Sequence, residues 1–135
     1  MYYIGVDLGT SAVKLILMDK EGNVVKTVSR EYPLYFPKPG WSEHNPSDWY
    51  ENAVEGIKEL TDGVDAAQVA GISFGGQMHG LVILDKDNEV IRPAILWNDG
   101  RTTKECEYLN NTIGKDKIAE YTANIAFAGF TAPKI

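Results

Sequence analysis

Three apolar runs separated by tight turns open this chain, and they constrain its fold more than any other feature. Tyr2 to Asp7 is a short apolar run that ends in a carboxylate. Leu8-Gly9-Thr10-Ser11 is a turn of small residues, Ala12 to Met18 a second apolar run, and Asp19-Lys20-Glu21-Gly22-Asn23 a second turn cluster. Val24 to Arg30 is again rich in strand-forming residues. The pattern predicts three strands joined by tight turns. Tyr32 to His44 carries Pro33, Pro37, Pro39 and Gly40 and reads as a loop. Asn45-Pro46-Ser47-Asp48 then signals a helix start: Asn caps, Pro suits the first helical position, and Asp favours the positive helix end. Trp49, Ala53, Ile57 and Leu60 share one helical face, and Gly63 comes after it. Val69 to Phe74 and Ala94 to Trp97 read as further strands, Thr102 to Leu109 and Lys115 to Tyr121 as helices.

Leu15-Ile16-Leu17-Met18-Asp19-Lys20-Glu21-Gly22-Asn23-Val24-Val25 has an echo in Leu81-Val82-Ile83-Leu84-Asp85-Lys86-Asp87-Asn88-Glu89-Val90-Ile91. Both read as β-hairpins. Unrelated hairpins share such residues, so the echo is not by itself a duplication. Each copy comes after a Gly-rich turn, and those two turns are the candidate ligand loops.

The 135 residues suffice for one ordinary domain with a real core. A net charge of −6 argues against nucleic-acid and anionic-membrane binding, though a local cluster of donors can still hold an anionic substrate. Cys106 is the single cysteine, which excludes an internal disulfide and a cysteine metal site and suits a reducing, cytoplasmic setting. The N-terminus has no signal-peptide pattern, and no stretch reaches the roughly 18 apolar residues of a membrane span. The apolar tail from Ala126 to Ile135 ends without a terminating signal, so the chain is expected to be cut from a longer one and to expose apolar surface when isolated.

Three stretches carry chemistry. In Asp7-Leu8-Gly9-Thr10-Ser11-Ala12-Val13-Lys14, Gly9 admits close backbone approach, Thr10 and Ser11 offer hydroxyls, Lys14 offers charge, and Asp7 can hold Mg2+ through its waters. The Walker spacing is absent, so the donors would act as a backbone nest. A plain β-turn with a capping Asp accounts for the same residue types. Gly75-Gly76-Gln77-Met78-His79-Gly80 mixes hydrogen-bonding side chains with an apolar one, as a sugar requires. The competing reading makes Met78 core and His79 a structural partner. Trp97-Asn98-Asp99-Gly100-Arg101 lies just past a strand. Here Trp97 reads as core, while Asn98, Asp99 and Arg101 are divided between ligand contacts and structural roles, a helix cap for Asp99 and an ion pair for Arg101. Trp41-Ser42-Glu43 either lines the same cleft or pins its loop.

The chain resembles the FGGY carbohydrate kinases, within the larger group of actin-like ATPases. Ile4-Gly5-Val6-Asp7-Leu8-Gly9-Thr10-Ser11 is similar to their first phosphate motif. Gly40-Trp41-Ser42-Glu43, Gly76-Gln77-Met78-His79-Gly80, Arg92-Pro93-Ala94-Ile95-Leu96-Trp97-Asn98-Asp99-Gly100-Arg101 and Gly129-Phe130-Thr131-Ala132-Pro133-Lys134 resemble the xylulokinase branch. The resemblance implies a ribonuclease-H-like α/β domain with a mixed β-sheet flanked by helices. It also implies phosphorylation of D-xylulose by ATP with Mg2+ in a two-lobed parent, in which a homodimer is possible. Asp7 would sit by the metal and the transferred phosphate, Gly9, Thr10, Ser11 and Lys14 by the nucleotide phosphates, and Gln77, Met78, His79, Asn98, Asp99 and Arg101 by the sugar. The family's catalytic base and its adenosine motifs belong to the second lobe, so residues 1–135 alone are expected to bind sugar weakly and not turn over. Alternatives are a non-catalytic sugar or phosphate binder, a kinase for another pentulose or polyol, and a structural actin-like ATPase, against which the sugar-end loop argues. Thr122-Ala123-Asn124 departs from the family's Thr-Gly-Asn.

Overall fold

Strand β1 is the spine of the first of two compact units. The computed structural model describes all of residues 1–135. They divide into one unit of Met1–Pro33 with Pro46–Gln77 and another of Leu34–Asn45 with Met78–Ile135. The elements in chain order are β1 (Tyr2–Leu8), β2 (Ala12–Asp19), β3 (Val24–Glu31), β4 (Glu43–His44), α1 (Pro46–Leu60), β5 (Val69–Gly76), β6 (Ala94–Ile95), α2 (Thr103–Glu107) and α3 (Lys115–Thr122).

In the first unit β1, β2 and β3 form the expected antiparallel meander, and β5 joins the other edge of β1 in parallel, giving the order β3-β2-β1-β5. A parallel pair needs a long connection, and α1 lies within it. Alternation sorts the side chains. Ile4 is registered with Leu17, Val6 with Leu15 and Leu8 with Val13, so one sheet face is continuously apolar. Ile4, Val6, Val13, Leu15, Leu17, Val28, Tyr32 and Leu60 are buried there, with Trp49, Ala53 and Ile57 of α1 packed against them. The helical face read from spacing is therefore the face that docks. The opposite sheet face carries Asp7 registered with Lys14.

Gly56 makes that docking close. It is a buried glycine in the interior of α1, and a Cβ there would stand 2.5 Å from Leu15 Cδ1 and 3.3 Å from Arg30 Cδ. A glycine inside a helix costs about 1 kcal/mol relative to alanine, and here close approach offsets it.

In the second unit β4 and β6 form a short antiparallel pair, and Leu81 exchanges both backbone hydrogen bonds with Ile95. The echoed segments share one turn. Asp19 Oδ1 accepts from the amides of Glu21 and Asn23, and Asp85 Oδ1 accepts from those of Asp87 and Glu89. Gly22 and Asn88 hold matching left-handed positions, φ 90° and 65°. The expected second hairpin stops near its turn, with Leu84 bridged to Val90 and the Ile91 amide bonded to Ile83. The strand expected over Ala94 to Trp97 spans two residues, and the two expected helices are α2 and α3, joined by a wide π-helical stretch over Tyr108–Gly114.

Ala123 ends α3 at φ 55° and ψ 20°, its amide bonded to Ala119 O. Ala123, standing where the resemblance expects glycine, therefore holds a left-handed conformation. An L-residue there costs about 1–2 kcal/mol. Two glycine–alanine exchanges should therefore move stability in opposite directions. Gly56→Ala is expected to lower it, because overpacking at about 1–3 kcal/mol outweighs the helical gain of about 1 kcal/mol. Ala123→Gly is expected to raise it by about 1 kcal/mol. Urea unfolding midpoints measure both, and a higher midpoint for Gly56→Ala would show that Leu15 moves aside freely.

Candidate functional site

The turn Leu8–Ser11 is fixed from several directions. The Gly9 amide donates to Ala12 O at 3.0 Å, the Gln77 amide to Leu8 O at 2.9 Å, and the Tyr32 amide to Ser11 O at 3.3 Å. Thr10 Oγ1 donates to Gln77 Oε1 at 3.2 Å, and the Tyr32 hydroxyl donates to Gly9 O. Burial, with the charge of Asp7 adding to it, pushes the Tyr32 hydroxyl up to about 12, so it stays a donor at neutral pH. The sequence pattern sets Gln77 at the sugar end; in the fold it braces the Leu8–Ser11 turn. Tyr32 is a support of this turn that the pattern misses, because nothing local marks a tyrosine that reaches back 23 residues.

Asp7 lies exposed where β1 ends, registered with Lys14 on one side and Gly75 on the other. An open hollow of about 410 Å3 on this face is lined by Gly5, Asp7, Lys14, Ile16 and Ser73 among others. The carboxylate and the ammonium of the phosphate motif thus share a glycine-bordered surface, while Ser11 is exposed in the turn.

In the second unit His79 adopts φ 61°, a left-handed conformation uncommon for a side chain of its size. Its ring stacks on Phe130 with centroids 4.3 Å apart, and Phe127 meets Phe130 edge-on at 5.1 Å. Met78 is 71% exposed, which excludes the core reading. Trp97, expected in the core, is 49% exposed. Pairing ends at Ile95, so the ladder no longer directs its side chain inward, and with His79, Phe127, Gly129 and Phe130 it lines an apolar hollow of about 270 Å3. Gly129 is required there, since a Cβ would stand 2.4 Å from Trp97 O. In sequence the aromatics of the tail read only as apolar residues.

Asp99 and Arg101 form a buried charge network. Asp99 Oδ2 accepts from the Ser42 amide at 2.6 Å and from Arg101 Nη2 at 2.7 Å, while Oδ1 accepts from the Arg101 amide at 2.9 Å and Nε at 2.8 Å. Arg101 Nη2 also lies 2.8 Å from Glu43 Oε1, which Arg92 reaches at 3.1 Å. The guanidinium rests 3.6 Å over the Trp41 ring. Two cations meet two carboxylates, as burial of charge demands. Burial by itself would raise the Asp99 carboxyl; the bonds from Arg101 and Ser42 overcome it and hold the carboxyl below its usual range. Burial likewise opposes the charge on Arg101, and its two carboxylate partners keep that charge firmly on. Asp99 makes no helix cap. The Trp41-Ser42-Glu43 segment pins its loop to the strap that carries Arg101, and Asn98 is exposed beside it.

The sequence matches the FGGY family of carbohydrate kinases, N-terminal domain, over residues 2–135. The chain belongs to the FGGY carbohydrate kinases. It is 48% identical over 136 residues to the xylulose kinase of Bacillus subtilis, covering 99% of this chain and 27% of that protein. Its fold is similar to the crystal structure of a "xyloylose kinase" from Brucella ovis, with a TM-score of 0.90 and 40% identity over 99% of this chain and 28% of that one. It is also similar to Plasmodium falciparum glycerol kinase with ADP, with a TM-score of 0.89 and 25% identity over 98% of this chain and 27% of that one. This FGGY chain therefore spans about a quarter of the length of these relatives. Its α/β fold is that of the family's N-terminal domain, and no helix is long and apolar enough to cross a membrane.

The depressed Asp99 carboxyl has a pH signature. A group whose folded-state pKa lies below its ordinary value, 3.8 here, contributes its full stability above that value and loses it as the pH falls through the folded-state one. Asp99→Asn should destabilise the protein by about 3–5 kcal/mol at neutral pH, as breaking a buried pair does. Thermal melts from pH 7 to pH 2 should show the gap from wild type closing only below about pH 4; a gap that is constant with pH would refute the linkage.

Proposed function

We propose that this chain is the sugar- and phosphate-binding part of a longer xylulose kinase, which transfers phosphate from ATP to D-xylulose. One observation carries the reading: identity across nearly the whole chain is 48% to the xylulose kinase of Bacillus subtilis, against 33% to the glycerol kinase of the same organism. In this reading the exposed Met78 and the stacked His79 ring meet the sugar, with Asn98 at the rim. Asp99 and Arg101 support that rim, their polar atoms being largely engaged with Ser42, Glu43 and each other. Gly9, Thr10, Ser11 and Lys14 meet the nucleotide phosphates, and Gln77 keeps their turn in shape through Thr10.

The single exposed carboxylate of Asp7 suits Mg2+, an ion that retains several waters and takes few protein ligands. Held there by Asp7, the ion would supply positive charge to offset that of the phosphate groups. Asp7 would orient its waters, and Lys14, registered opposite, would add a positive charge to the same surface. A carboxylate that serves such an ion is a weak base, so the proton of the sugar hydroxyl needs another acceptor. Residues 1–135 alone are therefore proposed to bind sugar weakly and not to turn over. A kinase for another pentulose or for a polyol is the second reading, favoured by the glycerol kinase likeness.

ADP release by the full-length protein, with D-xylulose, D-ribulose, L-ribulose and glycerol in turn, separates these readings. D-xylulose is expected to have the highest kcat/KM, by about tenfold or more. His79→Ala should erase that preference, and Asp7→Ala should reduce kcat by about 100-fold or more. Glycerol in first position would transfer the assignment to the polyol kinases, and no turnover with any sugar would leave a binding module.

A further inference from the structure

Lys134 lies 55 residues from His79 in sequence, yet its ammonium is tied to the same loop. The residue is 8% exposed. Nζ donates to His79 O at 2.8 Å, to Leu96 O at 2.8 Å and to Gly129 O at 2.7 Å. An ammonium has three protons and all three are used, each on a different stretch of chain. Burial pulls its pKa down from the ordinary lysine value, so the three carbonyls must hold a charge that its surroundings disfavour.

Two of the stretches carry residues of the proposed sugar site, and the third packs against them. The first is the loop of Met78 and His79, and the second is the strand end that leads into Trp97 and Asn98. The third brings Phe130 onto the His79 ring and presses Gly129 against Trp97 O. Three carbonyl oxygens aimed at one point repel one another unless a donor sits between them. His79 is also held in a left-handed backbone conformation, which persists only where the surroundings over-determine it. A charge-assisted bond to its own carbonyl is such a determinant. We propose that Lys134 is a positioning residue for the sugar site: its buried ammonium gathers the His79 loop, the Leu96 strand end and the Gly129 segment into the arrangement that presents His79 and Trp97 to a polyhydroxylated ligand. This rests on the sugar-kinase reading for the identity of the ligand, but not for the gathering itself.

Lys134→Met removes the donors at similar size, and Lys134→Arg keeps the charge. A planar guanidinium cannot direct three donors at three converging carbonyls, so Arg should not rescue. In the full-length protein both variants should raise the KM for D-xylulose at least tenfold, with the KM for ATP within twofold of wild type and kcat within threefold. A purely structural role would instead lower activity in proportion to the folded fraction and leave the KM for sugar unchanged, and that result overturns the proposal. If Lys134→Met does not fold, Lys134→Arg decides by the same comparison. If wild type phosphorylates no sugar, the functional reading fails by itself, and hydrogen exchange then tests the gathering. Amides of residues 79–81 and 97–99 should exchange at least tenfold faster in Lys134→Arg than in wild type, while those of β2 stay unchanged; equal rates overturn the proposal.

Discussion

Strand β1 is hydrogen-bonded along both edges, antiparallel to β2 and parallel to β5, and that double pairing governs the first unit. A strand held on both sides cannot slip register without turning its whole apolar set to the other face. Ile4 and Val6 are therefore committed to the core and Asp7 to the open face. The turn after β1 inherits this rigidity. Its carbonyls are tied down by Gln77 at the end of β5 and by Tyr32 just past β3. For the phosphate binding proposed here, its amides and hydroxyls need to be fixed before the ligand arrives, because ordering them afterwards would cost binding energy.

The second unit solves a different problem. Its strands β4 and β6 are two residues each, too short to organise a loop-rich structure by ladder bonds alone. Charge takes over that role. Arg101 reaches Glu43 across 58 positions of sequence and holds Asp99 as well, while Lys134 spans three chain segments. Such interactions are costly to bury and add little net stability, but they tolerate few alternative arrangements. A site assembled from loops gains definition from them that an apolar contact would not supply.

The repeated turn at Asp19 and Asp85 shows how far local chemistry reaches. The same carboxylate-to-amide bonds close both turns, and the left-handed position is taken by Gly22 in one and Asn88 in the other. Beyond the turn the two copies diverge. The first grows into a long ladder because β2 is flanked by β1 and covered by α1. The second has no long flanking strand or covering helix: Leu81 pairs with Ile95, and the hairpin itself closes with the Leu84–Val90 bridge and the Ile91 amide on Ile83. Pairing beyond a turn depends on what the strands can pack against.

Sequence by itself determined what depends on neighbours a few residues apart. The β1–β2–β3 meander, the turn at Asp19, the start of α1 at Pro46 and its apolar face from Trp49 to Leu60 all derive from period, capping and turn chemistry. So did the family, through several short motifs in order, and with it the candidate residues around Asp7 and His79. Tertiary structure alone decided the partners. Trp97 reads as core by composition and lines an open hollow instead. Gln77 belongs by sequence to the His79 loop and by hydrogen bonding to Thr10. Gly56, Tyr32, Glu43, Phe130 and Lys134 carry no local mark of what they touch. A hydrogen bond or a ring stack is selected by distance in space, and a chain's pattern of residues records periodicity along its length but not which distant segment will be brought within 3 Å.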